Sequence, residues 1–113
     1  MINVIVVPET DKYKFDVSHD SVVYINPELG EPNLEGRNAK YLAPYWIAEQ
    51  CVNRIFHIVG IEENEITLGN SFVLDENWDK MEQHRRFEYH SLESFDLVEI
   101  KDGILISYKF NKG

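Results

Sequence analysis

The sequence predicts a single α+β domain that is rich in β-strands and has one to three short helices. Three observations favour this class: short apolar runs that alternate with polar residues, turn residues between these runs, and helical spacing only over brief stretches. The chain of 113 residues has the length of one ordinary domain, which we assign to residues 1–113. A chain of this size buries about two thirds of the surface that it exposes when unfolded.

The predicted core lies in residues 39–61, AKYLAPYWIAEQCVNRIFHIVGI, which contain two strand-like runs. In the first run, residues 40–45, the period of two places Tyr41 and Tyr45 on one face and Leu42 on the other. The run therefore has the pattern of a strand with apolar side chains on both faces.

The second run, residues 52–61, has apolar side chains at both odd and even positions. We therefore expect a central strand that is mostly buried on both faces. Pro44 cannot donate a sheet hydrogen bond, so it predicts a sheet edge or a bend at the end of the first run. Residues 46–50, which join the two runs, are compatible with one helical turn but are too short for a stable helix on their own.

Other apolar runs predict the remaining strands. Turn residues at 62–64 and at Gly69 and Asn70 predict a β-meander in the middle of the chain, and Asp102 and Gly103 predict a tight hairpin. The runs lie at residues 2–7, 21–26, 65–68, 71–74, 87–89, 97–100 and 104–110. Residues 13–17, in which apolar and polar side chains alternate, fit a short half-buried strand or an extended loop.

Three segments do not have a strand pattern. Residues 27–38, PELGEPNLEGRN, contain two prolines and two glycines and are predicted to be the most mobile internal loop. The charged residues 75–86 fit a short exposed helix and an irregular loop equally well. Ser91 is a good helix N-cap, and it precedes Leu92 and Phe95, whose spacing predicts one more helical turn.

The charge balance argues against general coating of nucleic acid. Twenty acidic and eleven basic residues give a net charge of −9, which disfavours nonspecific attraction to phosphate. A local basic site remains compatible with this balance, because the basic residues are unevenly distributed. Arg37 and Lys40 lie at the beginning of the predicted core, and His84, Arg85 and Arg86 form the one dense basic cluster.

Membrane insertion and secretion are not expected. No apolar run approaches the roughly 20 residues that a membrane-spanning helix needs. The amino end lacks the basic segment of a signal peptide and reaches Pro8 after a short apolar run, so we expect a cytoplasmic protein. Cys51 is the single cysteine, which predicts a small buried side chain without an internal disulfide.

The densest aromatic group is Tyr41, Tyr45 and Trp46. Rings at strand positions usually pack in the core, and the alternative is a stacking surface for a base. Trp78 is different, because it lies in a charged segment and is predicted to be a surface residue of a lid or partner contact.

Two polar residues of the second core run are candidate site residues. Arg54 lies in the most apolar strand, so we expect it either to pair with a carboxylate or to line a cavity. His57 is either a hydrogen-bonded structural residue or a functional one. The four histidines have no zinc-site spacing, and neither a nucleophile elbow nor a glycine-rich phosphate loop is present, so we predict no metal, no cofactor and no enzymatic activity.

Four segments together resemble one known family. They are KYLAPY at residues 40–45, RIFH at 54–57, VIVVP at 4–8 and YHSLESF at 89–95. Their order and spacing resemble PUA-like domains, which are found in small bacterial proteins and beside nucleases. This resemblance implies a small, twisted, partly closed mixed β-barrel, related to modules that bind RNA or flipped modified bases.

Three functions are compatible with the sequence. The leading hypothesis is a binding module for single-stranded or modified nucleic acid, in which aromatic faces hold an unstacked base. The second is an acidic module that binds a basic protein, and the third is a small hydrolase in which His57 acts with a nearby carboxylate. The ligand site of the leading hypothesis comprises Tyr41, Tyr45, Trp46, Arg54 and His57, with Arg85 and Arg86 contacting phosphate.

Overall fold

The computed structural model describes residues 2–8, 22–24, 32–63, 65–82, 86–95, 97–101 and 104–108. Most of these residues are in β-strands, which confirms the β-rich class. The strands are β1 Asn3–Pro8, β2 Val22–Tyr24, β3 Ala39–Tyr45, β4 Val52–Glu62, β5 Glu65–Trp78, β6 Glu88–Ser91, β7 Leu97–Lys101 and β8 Ile104–Tyr108.

The strands form one mixed sheet in the order β6-β1-β3-β4-β5-β7-β8, and β2 also pairs with β5. β1 and β3 are parallel, whereas the other described pairs are antiparallel. The two ends of this path, β6 and β8, have no ladder between them in the described ranges, so the sheet is open there.

Two apolar clusters cover the two faces of the central strands. Successive side chains of a strand point to opposite faces, and β1 follows this rule: Val4 and Val6 enter cluster 1, whereas Ile5 and Val7 enter cluster 2. Cluster 1 comprises Val4, Val6, Ala43, Tyr45, Val52, Ile55, Leu74, Trp78, Met81, Leu92 and Phe95. Cluster 2 comprises Ile5, Val7, Leu34, Ala39, Leu42, Phe56, Ile66 and Leu68.

The prediction for the faces of β3 is confirmed. Tyr45 lies in cluster 1 and Tyr41 packs against it, whereas Leu42 lies in cluster 2. Pro44 does not mark an edge, because β3 lies between β1 and β4 and Pro44 is paired in register with Val7. Residues 47–50 form the turn of the β3–β4 hairpin, so the helical turn predicted there is absent.

The prediction that β4 is a central strand is confirmed, but only its first half has buried side chains. Ile55 and Phe56 are buried on opposite faces of the strand. Beyond them, Val59 is 58% exposed and Ile61 is 45% exposed. The cause is the short β3–β4 ladder, in which the described pairs are Tyr41 with His57 and Leu42 with Phe56.

The turn predicted at 62–64 is confirmed, whereas the turn predicted at Gly69 and Asn70 is wrong. Glu62 pairs with Glu65 across a two-residue hairpin in which Glu63 has a φ of 55°. Gly69 and Asn70 lie inside the continuous strand β5, where the register shifts as it does at a β-bulge. The predicted meander is therefore one long hairpin.

Neither alternative predicted for residues 75–86 describes the start of that segment, because Asp75 to Trp78 continue β5. Trp78 is only 4% exposed, so the prediction of a surface tryptophan is wrong. Its ring stacks on Phe95 with centroids 4.8 Å apart. Asp75 and Glu76 remain exposed, because a strand can expose charged neighbours while it buries one large side chain.

The helical turn predicted after Ser91 is confirmed as a 3₁₀ turn, Leu92–Ser94. The Ser91 hydroxyl accepts a hydrogen bond from the Glu93 backbone N–H at 3.3 Å, and both Leu92 and Phe95 are buried. The β7–β8 hairpin is also confirmed, although Asp102 and Gly103 lie outside the described residues.

Several further predictions concern residues that are not described. They are the strand or extended loop at 13–17, residues 27–31 of the loop at 27–38, and part of the strand at 21–26. Among the described residues no helix is long and apolar enough to cross a membrane.

Candidate functional site

A groove of about 360 Å³ crosses the outer edge of β6. β6 is the last strand at its end of the sheet and pairs only with β1 within the described ranges, so side chains from both of its faces reach this edge. The groove is lined by Arg37, Glu82, Arg86, Glu88, Tyr89 and His90.

A tight turn over residues 33–38 positions Arg37. The Asn33 Oδ1 atom accepts a hydrogen bond from the Gly36 backbone N–H at 3.0 Å, as an N-cap does. At the other end, Asn38 has a φ of 51°, and the Ala39 and Asn38 N–H groups donate to the Leu34 and Glu35 carbonyls. These are the two hydrogen bonds of a Schellman motif, so the turn behaves as one capped helical turn.

The rest of the fold holds this turn in place. Leu34 and Ala39, at the positions where a Schellman motif makes its apolar contact, both lie in cluster 2. Asn3 of β1 donates from its side-chain amide to the Arg37 carbonyl at 2.6 Å. The described part of the 27–38 loop is therefore hydrogen-bonded at both ends, and the mobility predicted for the whole loop stays a prediction.

The guanidinium carbon of Arg37 lies 5.4 Å from the centre of the Tyr89 ring. This distance is within the range of a cation–π contact. The Tyr89 hydroxyl accepts a hydrogen bond from the Asn33 backbone N–H at 2.7 Å, so the same tyrosine supports the beginning of the turn. The ring also meets Phe87 edge-on at 6.0 Å. Together these contacts make a cationic and aromatic wall.

The opposite wall is a histidine–carboxylate pair. The Glu88 Oε1 atom lies 2.8 Å from His90 Nε2 and accepts a hydrogen bond from the Glu82 backbone N–H at 3.2 Å. The His90 ring contacts Trp78 edge-on, with centroids 4.6 Å apart. Trp78 is thus a core residue that supports a groove residue.

The charges of the groove are mixed, with two arginines facing two glutamates. Arg86 is exposed and lines the groove, so a ligand anion in the groove can reach its guanidinium. Glu88 is engaged with His90, which leaves Glu82 as the exposed carboxylate of the lining. The groove can therefore contact an anion, an aromatic ring and a hydrogen-bond donor of the same ligand.

The sequence-predicted ligand residues do not converge on one pocket. Tyr41 and His57 are brought together across β3 and β4, with ring centroids 5.4 Å apart. Tyr45 is only 2% exposed within cluster 1, where burial, followed by the charges of Cys51 and Asp79, raises the pKa of its hydroxyl. The Trp46 indole Nε1 donates to the Asn53 side chain at 3.1 Å, at the hairpin end.

Arg54 lies away from this group. It alternates with Ile55 along β4, and its guanidinium donates to the Ser71 hydroxyl at 3.0 Å. Arg54 is exposed, so the expected need to pair a buried charge does not arise. Of the two residues predicted to contact phosphate, Arg86 lines the groove, whereas Arg85 lies outside the described residues.

Sequence reasoning missed five groove residues: Arg37, Glu82, Glu88, Tyr89 and His90. Two signals are present in the sequence: Arg37 belongs to the uneven basic distribution, and Tyr89 and His90 belong to the segment YHSLESF. These residues come together because β1 pairs with β3 on one side and with β6 on the other.

The groove also has chemical limits. Among its described lining residues there is no serine, threonine or cysteine beside His90 that could act as a nucleophile. The described ranges contain no group of three or more His, Cys, Asp or Glu side chains that could hold a metal ion.

Comparisons with protein-family models, with curated proteins and with solved structures find no match for this chain.

Proposed function

We propose that the protein is a binding module for single-stranded nucleic acid or a modified nucleobase, with the β6-edge groove as its site. The observation that carries this proposal is the Arg37 guanidinium over the Tyr89 ring at 5.4 Å, beside the exposed Arg86. A planar base can stack on the guanidinium or on the aromatic rings, and a phosphate can pair with an arginine.

The remaining lining residues supply hydrogen bonds to the edge of the base. The Glu82 carboxylate accepts hydrogen bonds, and the His90 ring can donate or accept according to its tautomer. Both groups lie on the same groove as the two arginines, so stacking and edge recognition take place in one site. The volume of about 360 Å³ suits one nucleotide rather than a duplex.

The net negative charge of the protein is consistent with a nucleic-acid site that is local and has limited affinity. A net charge of −9 repels phosphate at long range, so contacts inside the groove have to provide the binding energy. The proposal therefore expects weak, salt-sensitive binding of short single strands and no coating of duplex DNA.

The proposal includes the finer fold assignment, a PUA-like, partly closed barrel. Its support is that the four resembling segments fall on neighbouring elements: VIVVP on β1, KYLAPY on β3, RIFH on β4, and YHSLESF on β6 and the turn after it. Nuclear Overhauser contacts between β8 and β6 would test the closure.

Titration of the wild-type protein at low salt against modified and unmodified single-stranded oligonucleotides tests the function. We expect binding that weakens as salt rises, and loss of binding in Tyr89→Leu. Absence of binding across the panel would contradict the proposal.

A further inference from the structure

Within the described residues, the second half of β4 has a free edge. From Ile58 to Glu62, β4 pairs with β5 on one side, and in the described part of the chain no strand pairs with it on the other. β2 joins the far side of β5 at Glu65, Ile66 and Thr67, so this end of the sheet, which we call the arm, has the three strands β4, β5 and β2. An unpaired strand edge offers backbone N–H and C=O groups to another chain.

The same edge exposes large apolar side chains. Val59 is 58% exposed and Ile61 is 45% exposed, and they are two of the four large hydrophobic residues with this degree of exposure in the described ranges. They are separated by Gly60, at which an added Cβ would meet no atom within 4 Å. As far as the structure describes the chain, the arm therefore presents an unpaired backbone, two β-branched side chains and space beside Gly60.

The charge of the arm selects the kind of partner. Glu62, Glu63 and Glu65 are exposed at its tip. A second copy of the chain would add the same acidic groups to the interface and would be disfavoured, as would a nucleic acid. A segment with lysine or arginine between apolar residues complements both the charges and the side chains of the arm.

We infer that the free edge of β4 binds an extended, basic segment of a partner protein, which pairs with residues 58–62 as an additional strand. Backbone hydrogen bonds provide the pairing, and alternate apolar side chains pack on Val59 and Ile61. Basic side chains of the segment face the three glutamates. This surface is separate from the β6-edge groove, since the two lie on different strands.

A designed peptide tests this surface. The probe is a capped peptide of alternating lysine and valine, titrated into the intact wild-type protein and followed by amide shifts in NMR. We expect the largest shifts at residues 58–62. A peptide with N-methyl groups on alternate residues keeps its charge and side chains but cannot complete the ladder, so we expect it not to bind. Equal binding of the two peptides would overturn the inference.

Charge-matched variants distinguish binding at the β4 edge from general attraction of a basic peptide to an acidic protein. Glu62→Gln with Glu65→Gln removes two charges at the arm, and Glu49→Gln with Glu76→Gln removes two exposed charges elsewhere. We expect affinity to fall only in the first pair. Equal losses in both pairs would overturn the inference.

Apolar variants test the side-chain contacts. Val59→Thr with Ile61→Thr retains the β-branched shape at exposed positions, so the fold is expected to persist. This variant should bind the peptide about tenfold more weakly, because it loses apolar area on the peptide side. Sedimentation of the wild type should show a monomer, and a dimer that this variant dissociates would instead assign the edge to a second copy.

Discussion

Arg37 and Tyr89 are 52 positions apart in the sequence, yet the guanidinium of Arg37 lies 5.4 Å from the centre of the Tyr89 ring. Two elements position these side chains. The capped turn at residues 33–38 positions Arg37, and the β1–β6 ladder, in which Tyr89 pairs with Ile5, positions Tyr89. The same tyrosine accepts the Asn33 N–H through its hydroxyl. The wall of the groove is therefore coupled to the stability of the turn.

Tyr89→Phe tests that coupling. The ring and its contact with Arg37 are retained, but the Asn33 N–H loses its acceptor. We expect the free energy of unfolding to fall by about 0.5–1.5 kcal/mol, the usual net value of one hydrogen bond. Urea denaturation of the wild type, of Tyr89→Phe and of Tyr89→Leu measures this change. If Tyr89→Phe and Tyr89→Leu lost the same stability, the aromatic ring would contribute nothing beyond the hydrogen bond of the hydroxyl.

Gly36→Ala should disrupt the turn. A Cβ at this position would lie 2.5 Å from Asn33 Nδ2 and 2.6 Å from Oδ1, so the capping side chain would have to move. We expect a loss of about 1 kcal/mol, which is typical of a lost N-cap. The matched control is Gly60→Ala, at which the Cβ meets no atom within 4 Å. Equal melting temperatures of the two variants would contradict this description of the turn.

Phe56→Ala tests the core beneath β4. Phe56 is 1% exposed in cluster 2, so its truncation should cost about 3–5 kcal/mol. His57→Ala, one position along the strand and exposed, is the control and should change stability little. A loss below about 1 kcal/mol for Phe56→Ala in reversible denaturation would mean that this face of β4 is open.

Stability should decrease at alkaline pH through Cys51. The thiol is 6% exposed, and burial, with smaller effects of Glu49 and Asp79, raises its pKa above the ordinary value. A group with a raised folded-state pKa holds its proton more tightly when folded, so its contribution is complete below the unfolded pKa and is lost as pH rises through the folded pKa.

The measurement is the free energy of unfolding at neutral and alkaline pH, in the wild type and in Cys51→Ala. We expect the alkaline decrease to be smaller in the variant. Part of the decrease should persist, because the pKa of Tyr45 is raised in the same direction. Parallel pH profiles of the two proteins would show that the thiol does not contribute.

The central strands could be predicted because their signals are local. The alternation of Tyr41, Leu42 and Tyr45 predicts the faces of β3, and the apolar run at 4–7 predicts β1. The exposure of Val59 and Ile61 could not be read from the same pattern. It depends on how far the β3–β4 ladder extends, which the apolar character of one strand does not determine.

Two other errors also have physical causes. Gly69 and Asn70 are good turn residues, but a β-bulge requires the same conformational freedom, so β5 continues through them. Trp78 has charged neighbours, and the sequence does not reveal that strand geometry directs its ring to Phe95 while those neighbours stay in water. The groove was missed because Arg37 and Tyr89 meet only through the pairing of β1 with both β3 and β6.

The most direct test compares three single arginine substitutions in oligonucleotide binding. Arg37→Gln, Arg86→Gln and Arg54→Gln each remove one positive charge from an exposed side chain, so they change the net charge equally. The first two residues line the β6-edge groove, whereas Arg54 lies on β4. Fluorescence anisotropy with a short single-stranded oligonucleotide at low salt gives the dissociation constant of each folded variant.

The β6-edge groove predicts that Arg37→Gln and Arg86→Gln weaken binding by about 1–3 kcal/mol, as expected for a lost stacking or phosphate contact. Arg54→Gln should bind as the wild type does. The contradicting result is loss of binding in Arg54→Gln with unchanged binding in the other two, which would move the site to the β3–β4 face.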